Sequence, residues 1–247
     1  MIVAKPAQSQ TRGGFFISTS LSVLIIACWL SHLVYSVATV NFENWMWLFH
    51  IAIQSFFSVG LFIVAHDAMH GLAVPGNPKF NELIGRLCTF LYAGFSYKKL
   101  KKNHLAHPRA PATLRDPDYS STGNENFWLW LFSFGSNYFG LKEFAKLHAH
   151  VVLLYLLGGS FSKVVLLFAV PSWLSALQLF YFGTYLPHRA TDGTGHDKHR
   201  SRSNNYSAWL SLLTCFHFGY HYEHHWYPYL AWWQLPGAYR LRKNRGA

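Results

Sequence analysis

Residues 42–70 read FENWMWLFHIAIQSFFSVGLFIVAHDAMH. Beyond its first turn the run to Ala65 is almost wholly apolar. As a helix it is long enough to cross a bilayer, which takes about 20 residues at about 1.5 Å each. It runs straight into His66-Asp67-Ala68-Met69-His70, where i,i+4 spacing puts both imidazoles on one helix face about 5 to 6 Å apart. Two ligands for one metal ion is the reading that pair invites, delivered at the end of a membrane helix.

The composition of the remaining chain agrees. Of 247 residues, 51% are hydrophobic and only 13% charged, against about 25% charged in an ordinary soluble domain. That argues against a conventional soluble enzyme, and the absence of repeats or biased tracts excludes disorder, collagen and coiled coil. Fifteen His accompany only 10 Asp+Glu, so a membrane-like composition carries an excess of the commonest metal ligand. The net charge of +11 does not point to nucleic acid. The basic residues gather at Lys98, Lys99, Lys101 and Lys102, from Arg189 to Arg202, and from Arg240 to Arg245, as cytoplasmic flanks of membrane spans do. Cys28, Cys88 and Cys215 stand singly with no CxxC, so neither a disulfide framework nor a thiolate zinc site is indicated.

Working outward from Phe42, the run Phe15 to Val40 is a first span, and a removable signal peptide is the weaker reading because the run is long and lacks a cleavage site. Leu83 to Tyr97 holds Arg86, is short of the hydrocarbon core and is followed by lysines, which predicts an interfacial or re-entrant segment. An aromatic segment follows at Phe127 to Leu141. The apolar region Ala149 to Pro187, broken at Gly158-Gly159-Ser160, reads as a pair of spans, the second kinked at Pro171. Tyr206 to His221 is too short to cross. The expected fold is all-α: one membrane domain over residues 1–247, with about four transmembrane helices and a histidine-rich metal-binding cap. The basic loops place that cap and both termini on the cytoplasmic side.

Three further groups of histidines fall on that side. His104-x-x-His107 follows the lysine run and leads to Asp116-Pro117-Asp118, carboxylates that suit a metal, a partner for a ligating His, or turn chemistry around the proline. His188 ends a long apolar helix. In His217-Phe-Gly-Tyr-His221-Tyr-Glu-His224-His225, helical spacing makes His221, His224 and His225 converge, with His217 a turn earlier on the same stripe. As cations these rings would repel, and as uncoordinated neutral rings each would need a partner. Eight imidazoles exceed what one tetrahedral ion uses, so two metals follow; eight neutral nitrogens suit late first-row metals, of which iron also activates O2. His196 and His199 read as solvated, and His32, His50, His148 and His150 as incidental.

HDAMHG at His66 to Gly71, HxxH at His104 to His107, FGTYLPHR at Phe182 to Arg189, HFGYHYEHHWYP at His217 to Pro228 and AWWQLP at Ala231 to Pro236 resemble the carotenoid ketolase family. That family is a branch of the membrane fatty-acid-desaturase-like superfamily. The resemblance implies a non-haem di-iron oxygenase acting at C4 of β-ionone rings, taking β-carotene to echinenone or canthaxanthin, with O2 as co-substrate and a ferredoxin-like electron donor. It implies residence in a cell inner or thylakoid-type membrane. Carried over, the iron ligands are His66, His70, His104, His107, His188, His221, His224 and His225. Pro108 stands where the superfamily has a further His, so Asp116, Asp118 or His217 is expected to complete the site, Asp116 foremost, with Asp67 as a neighbour. The runner-up is an acyl-lipid desaturase or a hydroxylase of the same superfamily. A membrane haem-binding electron carrier is the non-enzyme alternative, and it requires histidines facing one another within the bilayer.

Overall fold

The computed structural model describes residues 12–190 and 199–245, and among these every regular element is a helix. α1 (Arg12–Thr39) and α2 (Met46–Met69) form an antiparallel pair. The buried residues of α1, Gly14, Ser18, Ser22, Ile25, Trp29, Leu33 and Ser36, recur every three or four positions, a stripe of helical period. Its small members let the helices approach, as membrane interfaces favour, and Trp29 donates its indole N–H to Ser58 Oγ at 3.0 Å. Phe16, Leu24, Leu30 and Val34 are exposed on other faces, as suits a lipid-facing surface.

α3 (Pro78–Ala93) starts with Asn77 Oδ1 accepting from Phe80 N and stops at Gly94, whose positive φ of 71° closes the last turn. α4 (Tyr97–Ala106) then doubles back against it. Gly85 makes that hairpin possible, because a Cβ there would stand 2.1 Å from the Tyr97 ring. At 16 residues α3 reaches about 24 Å, short of a core about 30 Å thick.

The helix Phe161–His188, our α7, is the third that is long and apolar enough to cross a membrane, with α1 and α2 the other two. The first of the two spans expected between Ala149 and Pro187 is not a helix of that length: before α7 the chain forms α5 (Phe127–Tyr138) and α6 (Leu141–Leu156), so three helices rather than about four meet that measure among the described residues. Phe127 packs on Tyr185 near the end of α7, Phe139 packs on Trp173 in its middle, and a Cβ on Gly159 would meet Val37 near the far end of α1. Lys142, Glu143 and Lys146 in the first turns of α6 explain why that apolar stretch is too short to cross alone.

α7 contains two wide turns, Val165–Ala169 and Tyr181–Tyr185, followed by Pro171 and Pro187 respectively. A proline removes one backbone donor and its ring crowds the carbonyl four residues back, here Leu167 and Gly183; a wide turn relieves both. The expected kink is thus one of a pair. α8 (Ala208–Cys215), α9 (His221–Trp226) and α10 (Leu235–Asn244) pack over the end where α2 and α7 finish.

Candidate metal centre

Eight imidazoles from five segments meet at that end in two groups. His66, His70, His104 and His224 form one, and His107, His188, His221 and His225 the other; within each, one nitrogen per ring lies within 4.8 Å of the others. Nε2 atoms face each other closely, at 2.7 Å for His70 and His104, 3.1 Å for His107 with both His188 and His225, and 2.9 Å for His225 and His221. One N–H cannot serve two acceptors this way, and two unprotonated nitrogens repel. A shared cation satisfies all of them. His66 Nε2 is moreover buried with no hydrogen-bond partner, in a setting where a buried polar atom needs one.

The groups cut across the sequence motifs. His66 and His70 stay together, but His104 and His107 part, because α4 ends at Ala106 and His107 opens a 3-10 turn containing Pro108. His224 goes to the first group, whereas His221 and His225 go to the second. His217 corrects the expected stripe. Phe216 and His217 have φ of 47° and 65°, so the helix begins only at His221. The His217 ring stacks instead on Trp232 and Tyr220 and joins neither group.

The outer nitrogens are held from behind. Nδ1 of His188 bonds to the Arg200 carbonyl at 2.8 Å, and Nδ1 of His107 lies 2.8 Å from both oxygens of Asp116. Asp116 also accepts from the backbone N–H of Ala112 and Asp118, so it is at once a turn residue and a histidine partner. His107, Asp116 and Asp118 themselves approach within 4.8 Å. Asp118 accepts from the Tyr138 hydroxyl. Asp67 Oδ2 takes the N–H of Trp232 at 3.2 Å, tying the AWWQLP segment to the end of α2. Buried Glu223 bonds Arg242 at 2.6 Å and Ser203, which anchors α10 to α9.

Burial holds His70 down to about 3, helped by neighbouring His66. Burial likewise lowers His104, His221, His224 and His225 well below the usual imidazole range, keeping them neutral as metal ligands must be. His107 alone goes the other way. Burial lowers it, but the Asp116 hydrogen bond and the charges of Asp118 and Asp116 outweigh burial and raise it.

A cavity of about 80 Å³ opens beside the first group. His66 and His104 form one wall, Phe62, Tyr92, Phe95 and Phe134 much of the rest, and Asp118, Tyr138 and Thr184 add polar groups. Tyr138 and Thr184 were not legible as site residues, since nothing marks them apart from other aromatic and hydroxyl side chains in apolar helices. His196 lies outside the described residues. His199 packs its ring on Trp226 and His225 rather than projecting freely. His148 and His150 bond carbonyls of their own helix, and His32 stacks on His50 far from the site, toward the other end of α2.

Comparison with known proteins matches residues 43–246 to the family model described as fatty acid desaturase. A β-carotene ketolase of Paracoccus sp. (strain PC1) is 41% identical over 239 residues, covering 96% of both chains. A β-carotene ketolase of Paracoccus sp. (strain N81106 / MBIC 01143) is 42% identical over 235 residues, covering 90% of this chain and 92% of its own. The β-carotene 4-ketolase 3 of Haematococcus lacustris is 36% identical over 204 residues, covering 78% of this chain and 63% of its own.

Proposed function

The chain belongs to the fatty acid desaturase family, and on that footing we propose that it is a membrane oxygenase that converts the C4 methylene of a carotenoid β-ionone ring to a ketone. The observation that carries this reading is the apolar cavity whose wall includes His66 and His104 of a four-imidazole group. The likeness to ketolases over nearly the whole chain selects ketolation over desaturation.

Two iron ions fit the donor set, one per group of four imidazoles, and when bound they supply activation of O2. His66, His70, His104 and His224 would hold the first, and His107, His188, His221 and His225 the second. Asp116 acts from behind, fixing the tautomer and direction of His107, a role that such partners commonly take toward ligating histidines. With four imidazoles already in each group, the residue lost at Pro108 needs no replacement.

Each hydroxylation breaks one C–H bond and forms one C–O bond. It consumes one O2, two electrons and two protons, and releases one water. Two such steps at one carbon give a geminal diol, which loses water to leave the ketone. No nucleophile is needed from the protein. Its side chains bind the ring and keep water out: Phe62, Phe95, Phe134 and Leu179 line the cavity, so the reacting methylene is held in a dry, oriented setting.

The electrons come from outside, since the sequence has no flavin or dinucleotide motif. We assign them to a ferredoxin-like acidic carrier. Lys98, Lys99 and Lys102 on α4, Arg240 on α10 and Arg245 just past its end are exposed and would steer it, and a basic face of this kind supports a cytoplasmic orientation under the positive-inside rule. Expression in β-carotene-producing bacteria tests the reading. Keto-carotenoids should appear, whereas unchanged pigment with altered fatty acids would transfer the assignment to an acyl-lipid enzyme. Turnover with limiting ferredoxin should fall with added salt, and salt-independent turnover would remove the steering role.

A further inference from the structure

Ketolation passes through an alcohol at the same carbon, and an apolar cavity has no reason to keep that alcohol. Resting on the ketolase reading, we propose that Asp118 is a specificity-determining residue that retains the half-oxidised ring for its second oxidation by accepting a hydrogen bond from the new hydroxyl group.

Asp118, Tyr92, Tyr138 and Thr184 carry the polar groups, other than imidazoles, in the wall of the cavity beside His66 and His104, and the Tyr92 hydroxyl is already engaged with Ser172 and Ser175. Asp118 is held there. Its Oδ1 takes the Tyr138 hydroxyl. Its Oδ2 is 3.9 Å from Nδ1 of His107, beyond hydrogen-bond reach, and that Nδ1–H is already taken by Asp116 at 2.8 Å. One oxygen therefore keeps acceptor capacity, and the side chain keeps 13% of its surface accessible.

A carboxylate in this place distinguishes the three species by their donors. The unoxidised methylene offers none. The alcohol offers one O–H and the geminal diol two, each making a charge-assisted bond. The ketone has only lone pairs, which a carboxylate oxygen repels. Asp118 thus holds the alcohol where the remaining C–H faces the same wall of imidazoles, and lets the ketone go. The second oxidation has the same balance as the first: one C–H bond breaks, one C–O bond forms, and O2 with two electrons and two protons from the donor side ends as one hydroxyl and one water.

The test pairs binding with products, using the full chain in detergent or in its host membrane. Iron-loaded protein kept free of O2 is titrated with a 4-hydroxy carotenoid and with the corresponding 4-keto carotenoid, read by polyene quenching of tryptophan emission. Wild type should bind the alcohol about tenfold more tightly than the ketone, as expected for a hydrogen bond to a charged group. Asp118→Asn should erase or invert that preference, because an amide can donate to the ketone. In β-carotene-producing cells the same variant should raise the alcohol-to-ketone ratio about tenfold. Tyr138→Phe, which keeps the ring and frees Asp118 from its orienting bond, should move both readings in the same direction by less. It decides the matter if Asp118→Asn fails to accumulate, and the O2-free titration decides if a variant is inactive. Equal affinity of wild type for alcohol and ketone, or an unchanged product ratio in both variants, would overturn the proposal. The two readings separate cleanly: a wild type that makes no ketone sinks the ketolase assignment, whereas a wild type that makes ketone with variants sharing its ratio sinks only the role of Asp118.

Discussion

Both carboxylate oxygens of Asp116 lie 2.8 Å from Nδ1 of His107, while Nε2 of that ring stands 3.1 Å from the Nε2 atoms of His188 and His225. One imidazole is thus gripped on its outer nitrogen by an acid and aimed by its inner nitrogen into a group of four. Asp116→Ala should weaken the second ion about 10- to 100-fold, leaving the first in place. Metal analysis after graded chelation reads this directly; retention of both ions with wild-type affinity would remove Asp116 from the role.

The division of His221, His224 and His225 between the two groups makes the neighbouring alanine variants unequal. His224→Ala should empty the first group, and His221→Ala or His225→Ala the second, each ending ketone formation and each leaving about half the metal. His217→Ala should keep both ions, because its ring packs on Trp232 and Tyr220 outside the groups. Mössbauer spectra of iron-loaded variants would show different residual sites for His224 and His225; identical spectra contradict the division.

Gly183→Ala probes how the long helix α7 meets the site. A Cβ there would stand 2.2 Å from the Phe218 ring, and Phe218 in turn packs edge-on against His66 and His221 at 4.9 and 5.1 Å. Overpacking of this kind costs about 1–3 kcal/mol. The expected outcome is a lower unfolding temperature together with reduced metal content, and a variant matching wild type in both would show that Phe218 has room to move.

Acidification should empty the groups in order. A ligand imidazole must be neutral, and the group whose folded value is raised takes its proton at the higher pH. His107 is raised from 6.5, so the second group should lose its ion at the higher pH. In the first group His70 is lowered to about 3 and His104 and His224 lie well below 6.5, so its ion should persist into much stronger acid. Metal retained after equilibration at successive pH values tests this; simultaneous loss, or loss of the first ion first, would contradict it.

The spans at α1 and α2 were legible because an apolar run at helical length admits no other membrane structure, and the break at Gly158-Gly159-Ser160 marked the start of α7. The division of the chain before α7 into α5 and α6 was not, since the break at Phe139-Gly140 carries neither a proline nor a charge to mark it. His66 and His70 were readable as partners because one rigid helix carries both. His217 was misread for the same reason turned round: periodicity assumes a continuous helix, and two left-handed residues at Phe216 and His217 interrupt it.

The sequence by itself determined that this is an apolar helical protein with more imidazoles at helix ends than one ion can use, because composition and local spacing are properties of the chain alone. Only the tertiary structure decided which imidazole joins which. Neighbouring imidazoles, His104 and His107 about one turn apart and His224 directly beside His225, are separated by the direction of approach of α2, α7 and the turn at Pro108, and those directions are set by packing between segments up to 118 residues apart. The same packing turned Asp116 toward a histidine and Asp118 toward a cavity, though the two stand on either side of one proline.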